Sequence, residues 1–237
     1  MNASLIKILC RACVLITMAR SIHAETDVPK RILLVGDSMM RVPAHAAELQ
    51  LRRREGVKTL AYSSLGSGLA RLDVFDWMAK LDELTAEFQP EVTLAWFGAN
   101  DHQPMQVEGR ILQTDDPDWR VEYARRIGAV MDKLTAKPGS RVYWLEIPDM
   151  RDPGMQTKIE EINVILRREA DRRDAVIFFE TRQVLSRRPG TFTTHMPGPT
   201  GMPVMVRDTD GVHLNRAGAD RIAEQVIRAI FAPGSGQ

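Results

Sequence analysis

Thiols are almost missing from this sequence. Its 237 residues include two cysteines, Cys10 and Cys13, and both fall within residues 1–24, a segment that reads as a leader. The rest of the chain therefore has no thiol for nucleophilic catalysis, for a disulfide or for a cysteine-ligated zinc site. An excess of one charge is missing too. Lys and Arg total 32 against 31 Asp and Glu, a net of +1, so no basic field points to nucleic acid. The apolar run Ala12 to Ala19 is far shorter than the roughly 20 residues that span a bilayer. Several motifs are also lacking. There is no phosphate-binding Gly-Lys-Ser/Thr loop, no Gly-x-Gly-x-x-Gly fingerprint and no His-Glu-x-x-His zinc motif. No Gly-x-Ser-x-Gly elbow surrounds a serine, which argues against the usual α/β-hydrolase arrangement. No cofactor and no metal is implied.

Lys7 and Arg11 precede the Ala12–Ala19 run, and Ile22-His23-Ala24 offers a cleavage site. Residues 1–24 are expected to form a secretory signal peptide, with an amphipathic terminus or a tilted, uncleaved anchor as the alternatives. Cleavage removes Lys7, Arg11 and Arg20, leaving 29 basic and 31 acidic residues, a net of −2. The mature chain, residues 25–237, is then periplasmic or secreted, with no stable membrane span, and its length suits one domain with a real core.

From Arg31 onward, short apolar runs alternate with amphipathic stretches. Ile32–Val35, Val57–Tyr62, Val92–Phe97, Val142–Ile147 and Val176–Phe179 are continuous rather than alternating, as strands covered on both faces should be. Between them, Ala44–Arg54, Asp76–Phe88, Trp119–Lys137 and Lys158–Asp174 carry helical patterns, and a last helix is expected over residues 215–231. Such alternation predicts an α/β fold: a five-stranded parallel sheet in a three-layer α/β/α sandwich with right-handed crossovers. In a flavodoxin-like strand order, strands one and three are neighbours, and a site forms beyond their carboxyl ends. Gly/Pro-rich loops over Gln103–Asp118 and Pro189–Thr209 flank those ends, as substrate loops or as plain surface crossings.

Three short signatures follow in order. Gly36-Asp37-Ser38 ends the first apolar run, Gly98-Ala99-Asn100-Asp101 closes the third, and Asp210-Gly211-Val212-His213 precedes the last helix. Each has a plain reading as a turn or helix cap. Taken together they supply a nucleophile (Ser38), an amide donor (Asn100) and an acid–base pair, His213 oriented by Asp210. Asp208 is the rival orienter at a less natural spacing, and Asp101 is read as a residue that fixes its loop. Among the other histidines, His23 leaves with the leader and His45 is read as a surface residue on the first helix. His102 and His195 sit in loops suited to substrate contact. The stretch Ser63–Leu69 either is a flexible turn or offers an oxyanion N–H from Gly66 or Gly68. Paired arginines at 52–54, 125–126, 167–168, 172–173 and 187–188 fall mostly among acids and read as solvated faces.

Ser38 in Gly-Asp-Ser, a glycine after strand two, Asn100 in Gly-Ala-Asn-Asp and His213 in Asp-x-x-His resemble the four blocks of the SGNH (GDSL-like) hydrolase superfamily. The resemblance extends from Arg31 to Phe231. The run Gly68-Leu69-Ala70-Arg71-Leu72-Asp73-Val74-Phe75-Asp76-Trp77 is similar to a mostly exported bacterial branch of unknown function. What the resemblance implies is metal-free serine esterase chemistry, with oxyanion donors from the Ser38 backbone, a block-two glycine and the Asn100 side chain. Gly68 is favoured over Gly66 because the branch-like run begins there. The implied substrate is a small ester or an acylated glycan, with acetyl the favoured group. An O-acyltransferase with the same residues, or a non-catalytic polysaccharide-binding or assembly protein on this fold, is the alternative. Oligomeric state is left open.

Overall fold

The computed structural model describes residues 29–232, so the expected signal segment and both cysteines lie outside the described residues. Five parallel strands form the central sheet. They are β1 (Arg31–Gly36), β2 (Lys58–Ser63), β3 (Val92–Trp96), β6 (Arg141–Leu145) and β7 (Val176–Phe179), in the order β2-β1-β3-β6-β7. This is the flavodoxin-like order, and it sets β1 beside β3 with Gly36 level with Trp96. The central strands are apolar on both faces because both are covered: Ile32 to Val35 and Leu94 to Trp96 are buried throughout.

Helix α1 (Ser38–Leu51) packs on α6 (Arg216–Ile230) to form one outer layer. The other layer is the row α2 (Trp77–Phe88), α3 (Pro117–Leu134) and α4 (Pro153–Ala170). Several helices begin earlier than apolar periodicity suggests, because side-chain caps rather than core contacts set their starts. Asp37 accepts from Met39 N at the head of α1, and Asp116 and Asp152 do the same for α3 and α4 ahead of Pro117 and Pro153. Asn215 caps α6 through Gly218 N. A short helix, α5 (Arg182–Leu185), follows β7.

Neither long loop is irregular throughout. Residues 103–118 contain the hairpin β4 (Met105–Val107) with β5 (Arg110–Leu112), and residues 189–209 contain β8 (His195–Pro197) with β9 (Pro203–Met205). Among the described residues, no helix is long and apolar enough to cross a membrane. Of the eleven grouped arginines, five pair with acids: Arg125 and Arg126 with Glu122, Arg167 with Glu180, Arg172 with Glu169 and Arg173 with Asp132.

Candidate active site

The turn between β1 and α1 is fixed by a buried carboxylate. Asp37 Oδ1 accepts from Met39 N at 2.8 Å and Oδ2 from Gly98 N at 3.0 Å, while Asp37 N donates to Trp96 O at 3.0 Å. The cap reading of Gly-Asp-Ser is thus correct for Asp37, and it leaves Ser38 free at the first helical position, half-buried. Burial pushes the Asp37 carboxyl up to about 7, with Asp101 adding to the rise, against the backbone N–H groups of Met39, Gly98 and Ala99.

The segment between β9 and α6 brings His213 to that serine. His213 Nε2 lies 2.9 Å from Ser38 Oγ, and Nδ1 lies 2.6 Å from Asp210 Oδ2. Asp210 Oδ1 also accepts from the backbone N–H of Val212 at 2.8 Å and of His213 at 2.9 Å, so one carboxylate orients ring and backbone together. Burial raises the Asp210 pKa, but the His213 ring and these N–H groups outweigh it and bring it down to about 2. Asp208 is not the orienter. Its Oδ1 accepts from Thr209 N at 2.6 Å, and its own N–H donates to His213 O at 2.9 Å.

Asn100 and the stretch after β2 meet beside the serine turn. Asn100 Nδ2 donates to Ser67 O at 3.0 Å, and Gln103 Nε2 donates to Asn100 O at 2.7 Å. The two block-two glycines differ in their surroundings. Gly66 is exposed at φ +66°, with open space where a Cβ would stand. Gly68 is buried, and a Cβ there would lie 1.9 Å from Asp101 Oδ1. Only a glycine lets these two segments approach so closely.

Asp101 fixes this junction, as its sequence position suggested. Oδ1 accepts from Ala70 N at 3.0 Å and Oδ2 from the Tyr123 hydroxyl at 2.8 Å. Arg126 Nη1 donates to the carbonyls of Leu69 at 3.0 Å and Ala70 at 2.8 Å. Burial raises Asp101, and burial together with Asp101 holds the Tyr123 hydroxyl well above its ordinary value. Tyr123 was not legible in sequence, and Arg126, read there as part of a solvated face, is buried instead. They share one face of α3, but nothing in their local pattern names partners some 20 to 57 residues away.

A cleft of about 350 Å³ opens beside Asn100, with His102, Asp152, Gly154, Met155 and Lys158 on its walls. His102 Nε2 lies 3.2 Å from Glu161 Oε2, and His195 is exposed at the start of β8. A larger hollow of about 840 Å³ lies between α3 and α4, but it is lined by none of Ser38, Asn100, Asp210 and His213. No group of three or more His, Cys, Asp or Glu side chains is arranged to hold a metal ion among the described residues.

A search of curated proteins finds no significant sequence match. Solved structures nevertheless share the fold. A carbohydrate acetylesterase family member from Sinorhizobium meliloti matches at TM-score 0.57 and 16% identity, over 85% of this chain and 99% of that one. Axe2, an acetylxylan esterase from Geobacillus stearothermophilus, matches at TM-score 0.57 and 15% identity, over 85% and 94%. A protein assigned to the SGNH hydrolases from Slackia heliotrinireducens matches at TM-score 0.52 and 16% identity, over 83% and 96%. The fold is therefore the SGNH hydrolase fold. A family model described as protein of unknown function (DUF459) matches residues 31–229, nearly all of the described chain, and the protein belongs to that family.

Proposed function

We propose that this protein is an exported serine esterase that removes O-acyl groups, acetyl foremost, from cell-envelope or extracellular polysaccharide. The observation that carries the reading is the continuous hydrogen-bonded chain from Ser38 Oγ through His213 to Asp210. Ser38 Oγ attacks the ester carbonyl carbon as its proton passes to His213 Nε2. The developing oxyanion is met by the N–H groups of Ser38 and Gly68 and by Asn100 Nδ2. One Asn100 amide hydrogen is held by Ser67 O, and the second is available to the oxyanion. Collapse breaks the bond to the alkoxy oxygen, which takes the proton from Nε2, and an acyl-Ser38 remains. Water, deprotonated by His213, then attacks that ester, releases the acid and restores the serine. Asp210 stays ionised throughout, holding Nδ1–H and stabilising the imidazolium.

The substrate class is supported by the cleft beside Asn100, whose His102, Asp152 and Lys158 suit a hydroxyl-rich alcohol better than a long acyl chain. It is also supported by the carbohydrate esters named for two structural neighbours. Export follows from reading residues 1–24 as a signal peptide. The experiment is p-nitrophenyl acetate hydrolysis by residues 25–237 beside the Ser38→Ala variant, followed by acetylated oligosaccharides. Acetate release that disappears in Ser38→Ala is the predicted result. Equal rates in both proteins would remove the nucleophile. Transfer of acetyl to an added sugar faster than to water would turn the reading to an acyltransferase.

A further inference from the structure

Arg207 is completely buried, yet its guanidinium is met by backbone oxygens. Nη1 donates to the carbonyl of Asp149 at 2.7 Å and Nη2 to that of Val212 at 2.8 Å, while Nε reaches that of His213 at 3.4 Å. Burial lowers its pKa to about 10 against the pull of Asp149 and Asp210, so it remains a cation at neutral pH. A buried cation is costly, and an apolar side chain would fill the same space at less cost. What an apolar side chain cannot do is join the His213 segment to the stretch that follows β6, because a planar fork of donors is needed to span those carbonyls.

The same segment is held from its exposed side by Arg151. Its backbone N–H donates to Gly211 O at 3.1 Å, and its Nη1 donates to Thr209 O at 2.8 Å. Gly211 has φ +80°, and a Cβ there would lie 2.7 Å from Arg151 Cβ, so the contact requires glycine. The Phe192 ring contacts both guanidiniums, 5.2 Å from Arg151 and 4.8 Å from Arg207. The flanking strand β9 is exposed along its length, and Met205 O at its end accepts from Asn215 Nδ2, beyond His213.

We propose that Arg207, assisted by Arg151, is a positioning residue for the base: the two arginines dock residues 209–213 on the carboxyl end of β6 and so keep His213 Nε2 within reach of Ser38 Oγ. This rests on the reading of Ser38 and His213 given above. Neither arginine lines the cleft beside Asn100. Ser38 stands on the rigid β1–α1 turn, so errors of placement arise mainly on the histidine side.

The test is Arg207→Lys in the full chain, which keeps the charge and removes the fork. Turnover of p-nitrophenyl acetate is normalised to sites titrated with a fluorophosphonate. A displacement near 1 Å costs about 10²-fold, so kcat per titrated site should fall by about that factor, with KM within about twofold. The rate of Ser38 phosphonylation should fall in parallel. A variant with fewer active sites but wild-type kcat per site would show a purely structural role and overturn the proposal. If Arg207→Lys does not fold, Arg151→Ala decides: about a fivefold loss per site at unchanged KM supports docking, and an unchanged kcat refutes it. Wild-type protein that reacts with neither probe would instead remove the esterase reading, and the docking role with it.

Discussion

Asp37 and Gly98 are joined across neighbouring strands: the carboxylate that caps α1 through Met39 N also accepts the Gly98 N–H, at 2.8 and 3.0 Å. The turn that carries Ser38 and the loop that carries Asn100 are thereby fixed to each other by one side chain. Asp37→Ala leaves two buried N–H groups unmatched, at about 1–3 kcal/mol each. The variant should unfold at lower denaturant concentration and lose turnover more than tenfold even where it is folded, because Ser38 and Asn100 lose their common anchor. Chemical denaturation paired with kcat on folded protein checks this, and a stable variant with full kcat would contradict it.

Gly68 predicts a sharp contrast with Gly66. A methyl at Gly68 meets Asp101 Oδ1 at 1.9 Å and forces the carboxylate off Ala70 N, so Gly68→Ala should destabilise by roughly 1–3 kcal/mol and depress kcat. Gly66→Ala meets open space and carries only the strain of its positive φ, about 1 kcal/mol. Its kcat should stay near wild type. Equal kinetic losses at both positions would move the block-two donor away from Gly68.

Tyr123→Phe removes the hydroxyl that donates to Asp101 Oδ2 at 2.8 Å. The buried carboxylate then lacks a donor, at about 1–3 kcal/mol. The unfolding midpoint should fall. In the same variant the Asp101 pKa should rise further, since the lost hydrogen bond favoured the ionised form. A midpoint unchanged from wild type would show that the hydroxyl is dispensable.

Stability should carry two opposite pH dependences. Asp37 holds its proton to about 7 in the folded state, against 3.8 when free, so its contribution is full below about 3.8 and is lost as pH rises to about 7. Asp210, lowered to about 2, contributes above 3.8 and loses that contribution as pH falls through about 2. Solvent exposure of Asp210 screens its part, so Asp37 should dominate. Melting curves of wild type and Asp37→Asn should converge in shape between about pH 7 and 8 and diverge between about 4 and 7. Parallel curves across the whole range would refute the buried proton.

How much of this was legible in sequence follows from which interactions are local. The strands were visible because parallel strands covered on both faces read as continuous apolar runs, and their order put Ser38 and Asn100 together. Asp210 and His213 were visible because the two partners of one hydrogen bond stand only three positions apart. The short strands of the β4–β5 and β8–β9 hairpins were hidden inside Gly/Pro-rich stretches, each too short for a period-2 pattern. Arg207, Tyr123 and Arg126 were hidden for a different reason. The two arginines are held largely by backbone far along the chain, Asp149 O for Arg207 and Leu69 O for Arg126, and a carbonyl leaves no mark in a sequence, while Tyr123 meets the Asp101 carboxylate 22 residues away.

The central claim is that Ser38 is the nucleophile and His213 its base, and covalent trapping tests it most directly. Residues 25–237 would be treated with a fluorophosphonate and the adduct located by peptide mass mapping. The predicted result is a single adduct on the peptide containing Ser38, formed at least about 10²-fold more slowly in His213→Ala. Failure of folded wild-type protein to react, or an adduct on another residue, would contradict it.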